Sequence, residues 1–352
     1  MEKIRWGVIG AGTIAVMRTI PAILRAEHAE LTAILNTSAE KAESIRQRFG
    51  AKRAYTSLDD LLNDDEIDAV YIATPVFLHA PQARAAADHG KHVLCEKPLG
   101  LNADEALETV RYCWEKGVTL SVGFMMRYGT QIQNMKRLMD EGKIGQLVSA
   151  SGRFSCWTPD SPGFWLHDRE KAGGGPIMDM GVHLIDLMQY LSGMRVTSVC
   201  AMQERISFTG ADYTTDDTSS VILRMENGAQ FVVQTNFNIP DPAARWYLDF
   251  YGTAGRLLGD MVVAQEDGGL LNAVTLTDGD DRYGEPKLGY GAGQMITAEF
   301  SDQYVREIER FSLALLRGEK PDIDPMDAVR VQRVVDAAYK SSEKGITVQI
   351  IE

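Results

Sequence analysis

Seven residues of special chemistry or backbone freedom, Gly173, Gly174, Gly175, Asp179, Gly181, His183 and Asp186, fall inside one stretch, AGGGPIMDMGVHLID. Three consecutive glycines release the backbone from ordinary φ limits and let a ligand come close. The residues after them run on at helical spacing, with Asp179 and His183 four apart and facing the same way. An imidazole beside a carboxylate, at the lip of such a loop, is suited to moving a proton to or from a hydroxyl. Two metal ligands would be the competing chemistry, but no further acid, His or Cys is spaced to complete a shell, so no metal is expected. A histidine satisfied within a core is the plainer alternative for His183, and an exposed helix acid or cap for Asp186.

A second constellation lies at the amino end. Gly10-Ala11-Gly12-Thr13-Ile14-Ala15 follows the strand-like run IRWGVIG and opens an expected helix, the context in which GxGxxA holds a dinucleotide. Gly10 allows the tight turn, Gly12 the approach of the pyrophosphate, and Ala15 close packing of helix on strand. The helix N-terminus offers N–H groups and a positive dipole end to the phosphates. A glycine-rich turn with nothing bound is the alternative. NAD sites usually carry a ribose-binding acid at the end of the second strand, where this chain has Asn36-Thr37-Ser38, with Lys41 just beyond. Without a carboxylate to repel it, a 2′-phosphate could take bonds from the hydroxyls and Lys41, so NADP is favoured over NAD; alternatively Asn36 binds the ribose of NAD. Glu96-Lys97-Pro98 closes the fourth apolar run. Pro98 biases Lys97 toward extended backbone and stops the strand there, which would hold an ammonium at the carboxyl edge of a sheet.

These groups need elements to position them. Up to about residue 125, the apolar runs IRWGVIG, ELTAILN, AVYIATP, HVLCEKP and TLSVGF alternate with amphipathic stretches, the pattern of βαβ units and a parallel sheet. Residues 39–49, 79–89 and 102–116 read as helices, with Asn102 as an N-cap and Gly50, Gly90 and Gly117 at C-terminal ends. Beyond 125 come strand patterns, QLVSASGRFSCW, SSVILRMENGAQFVVQTNF and RWYLDFYG, with a hairpin turn at Glu226-Asn227-Gly228, which predict a mostly antiparallel sheet. Phe300, Tyr304, Ile308, Phe311 and Leu315 follow a helical period, as do Val331, Val334, Val335 and Ala338. Residues 278–294 read as a long loop, either a mobile surface segment or a lid. Trp157, Phe164, Trp165, His167, Asp168 and Arg169 cluster before the glycine loop. They suit a sugar ring, with its C–H faces and hydroxyls, or simply a core; Trp165 and Arg169 could equally meet a cofactor.

A chain of 352 residues favours two domains. A formal net charge of -13 and a pI near 5.0 argue against nucleic acid or an anionic membrane as partner. Cys95, Cys113, Cys156 and Cys200 show no metal or CxxC spacing and read as free thiols in a reducing compartment. A first strand starting near Lys3 leaves no room for a signal segment, and no apolar run reaches membrane-spanning length, so a cytoplasmic location is expected.

On GAGTIA, ATPVFLHAPQA, CEKPL, GFMMRY, AGGGPIMDMGVHLIDL and DDT followed by LRMENGA, the chain resembles the glucose-fructose oxidoreductase / inositol dehydrogenase / rhizopine catabolism protein (Gfo/Idh/MocA) family over essentially its whole length. The resemblance implies a Rossmann domain over 1–124 with a doubly wound parallel sheet. It implies a substrate-binding and oligomerisation domain over 125–352, built on a large open β-sheet and pairing in homodimers or homotetramers. It also implies NAD(P)-dependent oxidation or reduction of a sugar, cyclitol or related polyol. Lys97, Asp179 and His183 fall in the catalytic positions; Thr74, Pro75, His79 and Glu96 would line the cofactor, with Arg127 close to it. Met125 departs from the Asn common in relatives, and the Asn-Thr-Ser run resembles that of NADP-using members. On this reading His183 passes the hydroxyl proton, Lys97 stabilises the alkoxide, Asp179 and Trp157 hold the substrate, and Asp186 fixes the imidazole tautomer. A cofactor-binding sensor without turnover and a redox-assisted glycosidase are the other readings the resemblance admits.

Overall fold

Parallel strands buried on both faces read as unbroken apolar runs, and those at the amino end form such a sheet. In the computed structural model, which describes residues 2–158, 161, 163–207, 210, 212–276 and 293–351, two compact units are distinguished. The first comprises Met1–Met125, Asp168–Gly173 and Tyr304–Gln332; the second Met126–His167, Gly174–Gln303 and Arg333–Glu352.

In the first unit β1 (Ile4–Ile9), β2 (Ala29–Leu35), β3 (Arg53–Tyr55), β4 (Ala69–Ile72), β5 (His92–Glu96) and β6 (Leu120–Gly123) lie in the order β3-β2-β1-β4-β5-β6. Every neighbouring pair is parallel. The order reverses at β1, so the carboxyl ends of β1 and β4 open the crevice in which such sheets bind ligands. The edge strand β3 was not legible in the sequence: it has three residues, none fully buried, and no apolar run. Helices α1 (Ile20–Arg25), α2 (Ala39–Phe49), α3 (Leu58–Leu62), α4 (His79–Asp88) and α5 (Ala103–Glu115) connect the strands. Asn102, the expected N-cap, accepts from the backbone N–H three residues on, and Ser38, read from the sequence only as a cofactor contact, caps α2 in the same way. Gly50, Gly90 and Gly117 have positive φ at helix ends, as expected.

The second unit holds β7 (Leu147–Ser155), β8 (Val196–Glu204), β9 (Thr218–Met225), β10 (Gln230–Asn236), β11 (Tyr247–Gly252), β12 (Gly255–Asp260), β13 (Leu270–Thr275), β14 (Gln294–Ile296) and β15 (Val348–Gln349), in one sheet of order β14-β13-β12-β11-β7-β10-β9-β8-β15. All pairs are antiparallel except β7 with β10. The turn at 226–228 joins β9 to β10, Gly228 adopting φ +88°. Alternate residues of β9 are buried and exposed, so one face of the sheet packs and the other looks outward.

The remaining helices are α6 (Thr130–Asp140), α7 (Arg169–Ala172), α8 (Val182–Ser192), α9 (Gln303–Arg317) and α10 (Pro325–Lys344). Gly152 of β7 faces α8: a Cβ there would stand 2.9 Å from Leu184 Cδ2 and 3.2 Å from Met188 Cε. A single cut at 124/125 gives α9 to the C-terminal part, but nearly all of α9 packs within the first unit. Phe311 lies against Trp6 with ring centroids 5.6 Å apart, and the Trp6 indole N–H donates to Ser312 Oγ at 3.2 Å. Tyr304, Ile308, Phe311 and Ala314 form its buried stripe, whereas Phe300 precedes the helix and is exposed and Leu315 is half-buried, which shortens the stripe read from sequence. Of the loop read over 278–294, residues 278–292 lie outside the described residues and Gln294 opens β14. No described helix is long and apolar enough to cross a membrane. Cys95, Cys113, Cys156 and Cys200 are free thiols; burial pushes Cys113 up to about 12.

Candidate active site

The first unit builds its site from strand ends. Gly10, with φ +82°, leaves β1 so close to β4 that a Cβ would stand 2.5 Å from Thr74 Cγ2 and 2.9 Å from Thr74 N. Gly12, by contrast, is exposed and its Cβ would meet nothing nearer than Gly10 O at 3.8 Å. That open side is the cradle a pyrophosphate needs, so the residues present fit a dinucleotide. Thr13 is exposed and Ile14 half-buried; the helix begins with a π-turn at Ala15–Thr19 before α1, rather than as a plain α-helix. Asn36 ties the end of β2 to this loop, its amide donating to Ala11 O at 2.9 Å and its Oδ1 accepting from Ser38 N at 3.0 Å. The Ser38 hydroxyl accepts from Lys41 N at 3.3 Å, while the side chains of Thr37 and Lys41 are exposed.

Thr74 and Pro75 follow β4 and are half-buried, Thr74 donating to Gln82 Oε1 at 2.7 Å. His79 is buried with Nδ1 2.7 Å from Pro98 O and Nε2 2.7 Å from Thr74 O. Its ring therefore straps the end of β4 to the end of β5, and burial lowers its pKa. Glu96 Oε1 accepts from the buried Tyr71 hydroxyl at 2.6 Å, and Oε2 from Lys97 N at 3.3 Å. Lys97 stands half-buried at the carboxyl end of β5, before a cis peptide to Pro98. Met125 is buried.

In the second unit the expected α-helix through Asp179 and His183 begins as a π-helical turn, Ile177–Gly181, and becomes α8 at Val182. Gly181 permits this packing, since a Cβ would stand 2.3 Å from Ile177 Cδ1. Wide turns of this kind recur at functional sites. Asp179 is half-buried and His183 buried, the latter edge-on to Phe154 at 6.2 Å; Phe154 in turn meets Trp246 edge-on at 5.6 Å. The Trp246 indole donates to Ser155 O at 2.7 Å.

Asp186 is neither an exposed acid nor a cap. It is buried, and its two oxygens accept from Arg127 Nε at 2.9 Å and Nη2 at 2.5 Å, with the guanidinium 4.8 Å from the Tyr190 ring centroid. A planar fork on a carboxylate is a rigid pairing, and it fixes Arg127 against the helix that carries His183. Two of the three glycines are also required by the protein's own packing. A Cβ on Gly174 would lie 2.1 Å from Tyr339 Oη, and one on Gly175 2.1 Å from Asp216 O, so the groups approaching these glycines closely are the protein's own.

The aromatic cluster divides. Trp157 is 47% exposed, with its backbone N–H donating to Asp241 Oδ1 at 2.8 Å. Phe164 is exposed and Trp165 half-buried, while His167 is buried against Tyr213, ring centroids 4.4 Å apart. Asp168 caps α7 through Glu170 N, and Arg169 is exposed. Phe154, Trp246 and Tyr339 escaped the sequence reading because only strand register and helix packing bring them near His183 and the glycine loop, and Tyr71, within the first unit, because only its hydroxyl on Glu96 gives it a role; Asp216 was visible in the DDT run without a role. Among the described residues, Glu27, His28 and Glu309 form the one grouping with metal-ligand spacing, in the first unit; Glu309 already accepts from both the backbone and ring nitrogens of His28.

Residues 4–124 match the model of the oxidoreductase family with the NAD-binding Rossmann fold, and residues 132–258 that of the GFO/IDH/MocA C-terminal domain. The chain belongs to the Gfo/Idh/MocA family. It is an oxidoreductase with an NAD(P)-binding Rossmann domain. The chain is 33% identical to D-xylose 1-dehydrogenase (NADP(+)) 2 of Haloferax volcanii, over 98% of this chain and 99% of that one. It is 32% identical to 1,5-anhydro-D-fructose reductase of Ensifer adhaerens, over 81% and 82%. Among solved structures it resembles levoglucosan dehydrogenase in complex with NADH and levoglucosan, at 25% identity, TM-score 0.85 and full coverage of both chains.

Proposed function

We propose that this protein transfers a hydride between nicotinamide and a carbinol or carbonyl carbon of a sugar, cyclitol or related polyol, with NADP favoured over NAD. When bound, the cofactor supplies or accepts the hydride. His183 takes the hydroxyl proton during oxidation and returns it during reduction, imidazole being the side chain whose ordinary titration suits transfer near neutral pH. Lys97 donates to the same oxygen and stabilises charge developing there. Asp179 accepts from a neighbouring hydroxyl, and Trp157 offers an aromatic face to the ring. The observation that carries this reading is Lys97 at the carboxyl end of β5, in the unit whose Gly10–Ala15 turn leaves an open cradle at Gly12. The sugar-directed names of the three relatives support the substrate class.

A panel of pentoses, hexoses, anhydrosugars and inositols, followed by reduced-nicotinamide absorbance with NAD and NADP separately, tests the reading. Lys97→Met and His183→Asn should each lower kcat by about 10²-fold or more while leaving cofactor affinity nearly unchanged. Wild-type rates in both would remove the assigned roles. Exposed Thr37 and Lys41, with no acid at the end of β2, support the NADP preference. Lys41→Ala should raise KM for NADP roughly ten-fold and leave KM for NAD alone; an unchanged ratio would end that argument.

The protein acts in the cytoplasm, consistent with four free thiols. It pairs as a homodimer or homotetramer through the outward face of the second sheet, where Met202 and Ile222 are exposed.

A further inference from the structure

The DDT run and the long helix α10 take no part in the reaction as written, yet both close on the glycine loop. Gly175 N–H donates to Asp216 Oδ1 at 3.0 Å and to Tyr339 Oη at 2.8 Å, and the Tyr339 hydroxyl donates to the same Oδ1 at 2.7 Å. Side chains are excluded here, since a Cβ at residue 174 or 175 would overlap Tyr339 or Asp216. On its other side Gly175 offers its carbonyl to Met178 N at 3.0 Å and Asp179 N at 3.2 Å, the bonds that start the turn leading into α8. One residue is thus clamped through its N–H and sets Asp179 through its C=O.

We infer that Asp216 and Tyr339 are positioning residues for the Asp179–His183 pair, acting through the Gly175 peptide. The inference rests on the reaction proposed above for that pair. A carboxylate accepting from two donors is a strong and directional anchor. It fixes the start of the π-turn from two distant parts of the chain, the segment just before β9 and helix α10, and a shift of that turn moves Asp179 and His183 together. Small misplacements of groups that bind or protonate a substrate lower kcat far more than they lower affinity for a remote part of a ligand.

Tyr339→Phe keeps the ring and removes only the hydroxyl; Asp216→Asn keeps Oδ1 as an acceptor and removes the charge. Each should lower kcat about ten-fold or more while KM for the nicotinamide cofactor stays within roughly two-fold. Two readouts do not need turnover. Exchange of the Asp179 amide with deuterated solvent should speed up about ten-fold in Tyr339→Phe. The NMR titration of the His183 ring, assigned by its loss in His183→Asn, should move. A role confined to stability would lower the melting temperature and leave kcat and the His183 titration unchanged well below it; that result overturns the inference. If the wild type turns over none of the panel, the proposed reaction fails. The amide exchange and the ring titration still decide whether Asp216 and Tyr339 set this turn. Should Tyr339→Phe not fold, the same measurements on Asp216→Asn decide it.

Discussion

Glu307 is buried in α9, and neither carboxylate oxygen has a hydrogen-bond partner among the described residues. An ion there would be costly, and burial, reinforced by the charge of Glu96, pushes its pKa well above the ordinary glutamate range. The folded protein therefore keeps a proton that the unfolded chain releases as pH rises through about 4.3. Below that value both states hold the proton and Glu307 costs least; above it the folded state is penalised increasingly until its own raised pKa is reached. Glu307→Gln, neutral at every pH, should raise the melting temperature by about 2 °C or more at pH 7, with the gain shrinking toward pH 4. A melting temperature unchanged at pH 7 would show that Glu307 is not held neutral at a cost. His79 and His92 act in the opposite sense of pH: burial lowers both, so their contribution to stability is lost as pH falls below the ordinary histidine range.

At the scale of elements, two glycines of one turn separate folding from binding. Gly10 has positive φ and no space for a side chain, whereas Gly12 has space. Gly10→Ala should cost stability, on the order of 1–3 kcal/mol for the backbone conformation alone, as well as cofactor affinity. Gly12→Ala should melt like the wild type and yet bind NADP at least roughly ten-fold more weakly, because the added methyl occupies the pyrophosphate's approach. Fluorescence titration of the reduced cofactor beside a thermal melt measures both. Full affinity in Gly12→Ala would mean that the phosphates do not lie over this turn. The helix that follows Gly12 and the one that carries His183 both open with a π-turn, a feature absent from sequence periodicity because apolar spacing of three and four fits either helix.

At the scale of the molecule, register sets a row of residues across the outward face of the second sheet: Cys200, Ile222, Val232, Ser151, Asp249 and Leu258 are successive cross-strand partners. Ile222, second in this row, is 49% exposed. Ile222→Lys should convert the assembly to monomers in light scattering after gel filtration, with the cofactor site intact. A wild type that is itself monomeric, or a variant of unchanged mass, would refute pairing through this face.

The sequence by itself determined what is local: the doubly wound sheet from its apolar runs, the helix cap at Asn102, the hairpin at 226–228, the nucleotide turn, and the chemical types at Lys97, Asp179 and His183. Each is written in adjacent residues, because strand period, cap and turn chemistry act over a few positions. Tertiary structure alone decided the partners of those residues. Asp186 belongs to Arg127, the glycine loop belongs to Asp216 and Tyr339, His79 joins two strand ends, and α9 packs on Trp6 some three hundred residues earlier. Such pairings depend on which surfaces are buried together, and no short-range pattern in a single chain encodes a contact made across that separation.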